Sequence, residues 1–258
     1  MTHVPIVKAK ARLDVLVLER GLAPSRERAR ALILAGLVKV DGRLVSKAGE
    51  LTTRTADIEL VGPDHPYVGR GGVKLAHALD VFGLDVTGRL ALDVGASTGG
   101  FTDVLLRRGA ARVIALDVGH GQLDWRLRQD PRVIVREHVN ARSLAGADVP
   151  HVVDLVTIDV SFISLRHIFP AIRPFLAATA DIVALVKPQF EAGRKQVGAG
   201  GLVTDPAVHA EVLARATADA EACGFERLAM TPSPIAGATG NVEFFLHLRH
   251  VRGEQRTP

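Results

Sequence analysis

Short apolar strands alternate with helical segments through residues 89–190, and this alternation limits the fold of the chain more than any other feature of its sequence. Each strand is an almost unbroken apolar run, as expected for a strand that is buried on both faces. Alternating strands and helices predict a parallel sheet with helices on both sides, an α/β fold. Two more strands follow a helix that we expect at about 206–223. The seven predicted strands carry the sequences RLALDV, RVIALDV, RVIVREH, DLVTIDVSF, DIVALVKPQF, ERLAMTP and NVEFFLHLR.

A glycine-rich turn, LDVGASTGGF (92–101), joins the first of these strands to the helix that follows it. Its glycines, Gly95, Gly99 and Gly100, would let a ligand approach the backbone without meeting a Cβ atom. Asp117 ends the next strand, where an acidic residue hydrogen-bonds a ribose in sheets of this kind. The spacing differs from the dinucleotide pattern G-x-G-x-x-G, and Asp93 places a carboxylate where a pyrophosphate would be repelled. The turn therefore favours a neutral or cationic nucleoside such as S-adenosylmethionine, the alternative being a turn that only packs the helix on the strand.

Two lysines and two carboxylates border apolar segments near the ends of predicted elements; they are Lys74, Asp159, Lys187 and Glu243. Asp159 and Lys187 lie near the C-terminal ends of adjacent predicted strands, where ligands of parallel sheets bind. An unpaired charge there is costly, so we expect partners and a common cleft. Desolvation and a like-charged neighbour would let one lysine lose its proton near neutral pH. Taken singly, each residue is also compatible with an ordinary charge at a strand end.

The N-terminal quarter of the chain is basic. Residues 1–66 carry 11 Lys/Arg and 8 Asp/Glu, which is +3 of the formal net charge of +4. The sequence predicts two short helices, the second capped by Ser25, and then small strands with a hairpin at Asp41-Gly42. Such a segment suits a polyanion, although a basic solvated surface would give the same pattern. Because a Gly- and Pro-rich stretch follows, we divide the chain into an N-terminal domain (1–61), a linker (62–73) and an α/β domain (74–258).

The composition excludes several classes of protein. The single cysteine, Cys223, cannot form an intrachain disulfide, which fits a reducing compartment. The longest apolar run, 31–38, is far shorter than the ~18 residues that a membrane span needs, and the first residues lack a secretory signal. We therefore expect a soluble, cytoplasmic protein. The histidines show no spacing typical of metal ligands, so no metal site is expected.

The order Lys–Asp–Lys–Glu and several long motifs resemble the TlyA family, also named hemolysin A. The motifs are DVGASTGGFTDVLL, DVGHGQLDWRLRQDPRV, DLVTIDVSFISL, LVKPQFEAGRKQVG and GNVEFFL. Members of this family are ribosomal RNA ribose 2′-O-methyltransferases with an FtsJ-like, Rossmann-like class I domain built on a mostly parallel seven-stranded sheet. The first 61 residues resemble the small α+β RNA-binding domain named after ribosomal small-subunit protein four. The resemblance implies S-adenosyl-L-methionine as cofactor and a cytidine of 16S and/or 23S ribosomal RNA, within the ribosomal subunits, as substrate.

The resemblance also implies the role of each site residue. Lys187 would activate the ribose 2′-hydroxyl, Asp159 and Glu243 would orient the two lysines, and Lys74 would hold the substrate and balance the charge. Asp117 would bind the cofactor ribose. The cofactor turn would comprise Asp93, Gly95, Ala96, Ser97, Thr98, Gly99, Gly100 and Phe101. The linker segment YVGRGG (67–72) matches a family element that begins with an aromatic residue and a valine.

Basic residues of two regions are expected to contact RNA phosphates. In the N-terminal domain these are Arg26, Arg28 and Arg30 on the second helix, with Lys8, Lys10 and Arg12 adding reach. In the α/β domain, Arg194 and Lys195 lie in a glycine-rich loop (191–203) that is interpreted as a mobile lid or, alternatively, as a solvated loop. Phosphate contacts position an RNA without specifying its sequence, so RNA shape would select the target.

Three other functions compete with ribose methylation. A membrane-lytic protein, which the name hemolysin suggests, would need a membrane-inserting helix or barrel, and the sequence predicts neither. A non-catalytic factor that binds RNA or the ribosome would not need all four charged residues. A small-molecule methyltransferase would leave the basic N-terminal domain without a role. Nothing in the sequence indicates an obligate protein partner.

Overall fold

The computed structural model describes residues 10–61 and 65–251 of the chain. Its first part is a small α+β unit in which two helices pack on short strands. The elements of this unit are β1 (Lys10–Arg12), α1 (Leu13–Glu19), α2 (Arg26–Leu34), β2 (Val38–Val40), β3 (Arg43–Val45), β4 (Leu51–Thr53) and β5 (Ile58–Leu60).

Local sequence sets the boundaries of these elements. Ser25 is the N-cap of α2, and its Oγ accepts a hydrogen bond from the backbone amide of Arg28 at 3.1 Å. Asp41 and Gly42 have φ angles of 49° and 77° in the turn between β2 and β3, which is the backbone that a two-residue hairpin requires. The predicted cap and hairpin are therefore confirmed. Strand β2 pairs with β3 and β5, while β1 pairs with β4.

The second part of the chain is layered, with helices on both sides of one large sheet. Its elements are α3 (Gly71–Phe82), β6 (Leu90–Val94), α4 (Gly100–Arg107), β7 (Arg112–Leu116), α5 (Trp125–Gln129), β8 (Val133–Arg136), β9 (Val153–Ile158), α6 (Phe169–Ile172), β10 (Leu176–Val186), α7 (Pro188–Glu191), α8 (Pro206–Ala222), β11 (Phe225–Pro232) and β12 (Phe244–Val251). Short 3₁₀ helices occupy 165–167, 173–175, 194–196 and 199–201.

All seven predicted strands are present, and the predicted α/β fold is confirmed. They form one sheet in the order β11-β12-β10-β9-β6-β7-β8, in which β12 runs antiparallel to the other six. Alternate side chains feed two buried apolar clusters, so Leu92 of β6 packs in one and Ala91 in the other. The chain leaves β6 towards β7 and later returns to β9 on the other side of β6. The crevice at these strand ends is therefore the expected ligand site.

Helix α3 begins at Gly71, so the last three residues of the predicted linker (71–73) are helical. Its first turn packs tightly against the start of α4. A Cβ atom on Gly100 would lie only 2.9 Å from the backbone nitrogen of Gly72, a separation that real Cβ atoms do not tolerate. This close approach places the first turns of α3 beside the glycine-rich turn.

A buried carboxylate ties β10, β12 and the start of β6 together. Asp181 of β10 is 2% exposed, and its Oδ1 accepts hydrogen bonds from His247 Nε2 at 2.9 Å and Arg249 Nη2 at 3.0 Å. Its Oδ2 accepts from Arg89 Nη2 at 3.1 Å. Burial alone would raise the pKa of Asp181, but the hydrogen bonds from His247 and Arg249 outweigh it and lower the pKa to about 2.

We predict that Asp181→Ala lowers the free energy of unfolding by about 3 kcal/mol at pH 7, because it leaves partly buried cations uncompensated. Urea unfolding followed by circular dichroism measures this change. The folded-state pKa of Asp181 lies below its unfolded value, so its contribution is complete above about pH 4 and is lost as the pH falls towards 2. The difference between variant and wild type should shrink over that range.

The control is Glu226→Ala, which removes an exposed carboxylate from edge strand β11 of the same sheet. We expect it to change stability by less than about 0.5 kcal/mol. Equal losses in the two variants would contradict the role of the Asp181 cluster.

Candidate active site

The carboxyl ends of three neighbouring parallel strands bring predicted site residues to one edge of the sheet. Gly95 follows β6, Asp159 follows β9 and Lys187 follows β10. Strand β9 lies between β6 and β10 in the sheet, so the three residues leave adjacent strands. This placement follows directly from the parallel order that the alternating sequence predicts.

Two further site residues, Glu243 and Lys74, reach the same edge of the sheet from other elements. Strand β12 is antiparallel and pairs Phe244 with Val186, the last residue of β10. Glu243, which precedes Phe244, is therefore held where β10 ends. Lys74 comes from the first turns of α3, which packs beside the glycine-rich turn.

Two lysine–carboxylate pairs occupy this edge. Lys187 Nζ lies 2.5 Å from Asp159 Oδ1, and Lys74 Nζ lies 2.6 Å from Glu243 Oε2. The Lys74–Glu243 pair is almost completely buried, whereas the side chain of Asp159 is 21% exposed. Two positive and two negative groups balance formally, which offsets part of the cost of removing them from water. The structure thus brings together the four residues that the sequence singled out.

The backbone around Glu243 is fixed by a tight turn. A side chain on Gly237 would overlap the Glu243 carboxylate, so that approach requires glycine. Asn241 accepts a hydrogen bond from the amide of Val203 at 2.8 Å and donates one to the carbonyl oxygen of Gly201 at 2.9 Å. The end of the 191–203 loop is therefore attached to the segment that carries Glu243.

The glycine-rich turn is shaped by its contact with the strand that carries Asp159. Gly95 has a φ of +87°, and a Cβ atom on it would overlap the carbonyl oxygen of Asp159. The amide of Asp159 in turn donates to the carbonyl oxygen of Val94 at 2.9 Å. A change at Gly95 would therefore disturb the turn and Asp159 together.

Asp93, which we expected to contact the cofactor, is fully buried beneath the turn and does not line the cavity. Its two oxygens accept hydrogen bonds from the hydroxyls of Thr102 at 2.7 Å and Thr157 at 2.9 Å. Burial raises the pKa of Asp93 to about 7, a shift that these two bonds oppose and the nearby Asp159 increases. The expectation is corrected: Asp93 joins β6, α4 and β9 from inside. Gly99 likewise is buried, against Leu127.

Asp117 lies at the end of β7, just outside the cavity. Its Oδ2 accepts a hydrogen bond from the backbone amide of Ser97 at 2.8 Å, and its Oδ1 accepts one from that of Gly119 at 2.6 Å. Asp117 therefore fixes the far side of the glycine-rich turn, next to the place expected for a ribose. Its direct contact with a cofactor stays a prediction.

A cavity of about 560 Å³ opens above the two ion pairs. Both pairs line it, together with six residues of the turn: Gly95, Ala96, Ser97, Thr98, Gly100 and Phe101. Four further lining residues were missed by the sequence reasoning: Ser161, Phe162, Gln189 and Phe190. The available signal was their position, because they follow Asp159 and Lys187 by two or three residues at strand ends.

The N-terminal unit supplies one wall of the same cavity, through Leu34, Ser46, Lys47 and Ala48. The hydroxyl of Ser46 donates to the carbonyl oxygen of Ala238, in the turn before Glu243, at 3.4 Å. No pattern in the sequence indicates this wall, because it depends on how the two units dock.

Two of the arginines expected to bind RNA surround a buried carboxylate. Asp14 is fully buried, and its Oδ2 lies 2.9 Å from Arg12 Nη2 and 3.2 Å from Arg26 Nε. Burial alone would raise the pKa of Asp14, but hydrogen bonds from Arg12 and Arg26 lower it. Both arginines are about half exposed, so they stabilise the unit and still face solvent.

The remaining N-terminal cations differ in exposure. Arg30 and Lys10 are exposed, Arg28 is partly buried, and Lys8 lies outside the described residues. Arg30 precedes the cavity residue Leu34 by four positions on α2, which places both on one face of the helix. Arg30 is therefore the predicted RNA contact that lies one helical turn from the cavity.

The 191–203 loop lines the cavity with its backbone and small side chains. Val197, Gly200 and Gly201 face the cavity, whereas Arg194 and Lys195 are exposed on a short 3₁₀ helix and do not line it. Their contact with RNA stays a prediction.

Across residues 10–61 and 65–251, no group of histidine, cysteine, aspartate or glutamate side chains is arranged to hold a metal ion. No helix in these ranges combines the length and the apolar character that a membrane crossing requires. Of the histidines on β12, His247 is bound to Asp181, as described above.

The turn after β6 fits S-adenosyl-L-methionine. Its backbone is free of side chains at Gly95 and Gly100, and Asp159 and Asp117 flank it with negative charge that suits a cationic sulfonium. On a sheet of this strand order, such a turn beside a polar cavity is the arrangement of a class I methyltransferase that uses S-adenosyl-L-methionine.

Comparison with known proteins gives the family. The FtsJ-like methyltransferase family matches residues 67–250, and the S4 domain matches residues 11–55. The chain belongs to the FtsJ-like methyltransferases and, within them, to the TlyA family. The S4 match falls inside the predicted N-terminal domain, whereas the methyltransferase match begins at residue 67, within the predicted linker. The exact domain boundaries stay predictions.

Individual relatives extend over nearly the whole chain. It is 48% identical to "Putative rRNA methyltransferase YqxC" of Bacillus subtilis, over 95% of this chain and 87% of that protein. It is also 48% identical to "16S/23S rRNA (cytidine-2′-O)-methyltransferase TlyA" of Mycobacterium tuberculosis, over 93% and 90%. The solved structure named "Putative hemolysin from Streptococcus thermophilus" is 45% identical, with a TM-score of 0.73 over 95% of this chain and 90% of that one.

We predict that Gly95→Ala weakens binding of S-adenosyl-L-methionine at least tenfold, because the added methyl group overlaps the Asp159 carbonyl and displaces the turn. Isothermal titration calorimetry measures the dissociation constant. Gly121→Ala is the matched control, since Gly121 also has a positive φ, of +67°, but a Cβ there meets no atom within 4 Å. Backbone strain is thus similar in both variants, and equal affinities would contradict the steric role of Gly95.

Proposed function

We propose that this protein transfers the methyl group of S-adenosyl-L-methionine to a ribose 2′-hydroxyl of ribosomal RNA. One observation carries the proposal: two lysine–carboxylate pairs meet at the cofactor turn, in a cavity that the N-terminal domain helps to enclose. The name of the Mycobacterium tuberculosis relative supports cytidine in 16S and/or 23S RNA as the target. Such a substrate would place the enzyme in the cytoplasm with the ribosomal subunits, and we propose no obligate protein partner.

A ribose hydroxyl must lose its proton as its oxygen attacks the methyl group. When bound, S-adenosyl-L-methionine supplies an electrophilic methyl group on a positively charged sulfur. In its neutral, deprotonated form Lys187 takes the hydroxyl proton, and Asp159 holds its amine in place. Lys187 gains a positive charge in the step in which the sulfonium charge is lost, so the net charge of the cavity stays constant. Little reorganisation is then required, and positioning supplies much of the rate enhancement.

The second pair has a different task. Lys74 is held by Glu243 on the most buried side of the cavity. Its ammonium group can donate a hydrogen bond to the sugar oxygen while negative charge develops there. The Lys74–Glu243 pair therefore orients the ribose, while the more open Lys187–Asp159 pair moves the proton.

The rim of the cavity suits a nucleotide rather than a small polar metabolite. Phe162 is 86% exposed, and its ring centre lies 4.9 Å from that of Phe190. An exposed aromatic face beside a cavity is a stacking surface for an unstacked base. Lys47 of the N-terminal wall adds a cation that can meet a phosphate of the same strand.

We predict that Lys187→Ala abolishes methyl transfer, with a loss of at least a hundredfold, while the affinity for S-adenosyl-L-methionine stays within twofold of wild type. The rate of methyl transfer is measured with a tritiated methyl group and purified ribosomal subunits, and the affinity for the cofactor is measured by calorimetry. Lys39→Ala removes a lysine that does not line the cavity and should retain activity. Wild-type turnover by Lys187→Ala would remove this residue from the mechanism.

We predict that Arg30→Gln weakens binding to ribosomal RNA and reduces the slope of log affinity against log salt by about 1, as expected when one phosphate contact is lost. Arg30 is preferred to Arg26, because a change at Arg26 would also strip a partner from the buried Asp14. Arg20→Gln is the control, since Arg20 is exposed at the end of α1 and donates to the carbonyl oxygen of Arg54. Filter binding over a range of salt concentrations measures both, and an unchanged slope for Arg30→Gln would show that Arg30 meets no phosphate.

A further inference from the structure

We propose that Ser161 is a positioning residue for methyl transfer, whose hydroxyl fixes the orientation of the Lys187 amine. The proposal rests on the proposed function, because it requires Lys187 to accept the proton of the substrate hydroxyl. Ser161 is outside the set of four charged residues, and its own chemistry is not used in the transfer.

The geometry at Lys187 Nζ carries the proposal. The nitrogen lies 2.5 Å from Asp159 Oδ1 and donates a hydrogen bond to Ser161 Oγ at 3.0 Å. Both partners belong to the segment that follows β9 and lie two residues apart, so one short segment provides both contacts to the amine. Ser161 and Lys187 both line the cavity.

The valence of the amine explains why two partners are needed. A neutral lysine amine has two N–H bonds and one lone pair in a tetrahedral arrangement. Ser161 accepts one N–H bond, and the Asp159 carboxylate holds the amine as its ion-pair partner, so the two contacts together limit the directions that remain for the lone pair. In the protonated amine, the third N–H points the same way and can donate to the substrate oxygen instead. The same geometry thus serves before and after proton transfer.

Loss of the Ser161 hydroxyl would release this constraint. With Asp159 alone, the amine can rotate about its Cε–Nζ bond among staggered positions, and the lone pair faces the substrate in only some of them. Productive geometry would then be sampled less often, although the substrate and cofactor would bind as before.

The second lysine provides a contrast. Among the described residues, Lys74 Nζ donates a hydrogen bond to Glu243 alone, at 2.6 Å. A lysine that only donates to a sugar oxygen does not need its lone pair aimed. The presence of a hydroxyl partner at Lys187 and its lack at Lys74 therefore match the two roles proposed above.

The test compares Ser161→Ala and Ser161→Thr with wild type in the full-length enzyme, with S-adenosyl-L-methionine and purified ribosomal subunits as substrates. We expect Ser161→Ala to lower kcat about tenfold, while KM for the subunits and the dissociation constant of the cofactor stay within twofold. Threonine keeps the hydroxyl, so Ser161→Thr should recover most of the lost kcat. Because Ser161 is exposed, neither change should lower the melting temperature.

Ser143→Ala is the matched control, since Ser143 is exposed and lies away from the cavity. An unchanged kcat in Ser161→Ala would overturn the proposal, as would a failure of threonine to restore activity. A raised KM with unchanged kcat would also overturn it and would assign Ser161 to substrate binding. Failure of the proposed function is distinguishable, because then Lys187→Ala would remain active or the wild-type enzyme would not methylate the subunits.

Discussion

The pairing of β10 with β9 on one side and with β12 on the other is the constraint on which the site depends. Because β9 and β10 are parallel, Asp159 and Lys187 leave the sheet at the same edge. Because β12 is antiparallel, Glu243 enters the sheet there. A one-residue slip of β12 would exchange its two faces. Burial of Phe245 in one apolar cluster and Leu246 in the other opposes such a slip and so keeps the charged residues together.

Several buried charged groups of the described residues occur in sets with opposite charge, but these sets differ in their access to the cavity; Asp93, which is bound by two hydroxyls, is not among them. Asp14 and Asp181 are each enclosed by cationic partners, and neither lines the cavity. The cationic partners of these two aspartates hold secondary-structure elements together. The pair of Lys187 and Asp159 has the same chemistry but borders open space, where a substrate hydroxyl can replace one of the existing contacts. Access to the cavity, rather than burial, separates the groups suited to chemistry from those that stabilise the fold.

The sequence predicts the strands, the cofactor turn and the four charged residues, because each depends on local pattern or on its place at a strand end. The prediction that Asp93 contacts the cofactor is wrong, because a strand-end position does not tell whether a side chain faces the ligand or the interior. Asp93 faces the interior, where Thr102 and Thr157 donate hydrogen bonds to it. The sequence also misses the wall formed by Lys47, because docking of the N-terminal unit depends on contacts between residues far apart in the chain. Long-range packing is thus the part of the site that periodicity and motifs leave out.

The segment after β9 shows what the cavity requires of the backbone. Phe162 has a φ of +64°, a left-handed conformation that costs a bulky residue about 1–3 kcal/mol. Glycine would remove that strain, but it would also remove the aromatic face that lies beside Phe190. The turn lets Asp159 remain at the strand end while Ser161 and Phe162 both line the cavity. Phe162 is 86% exposed, so burial of its own ring in the core does not offset this strain, and the surrounding structure that fixes the turn must do so.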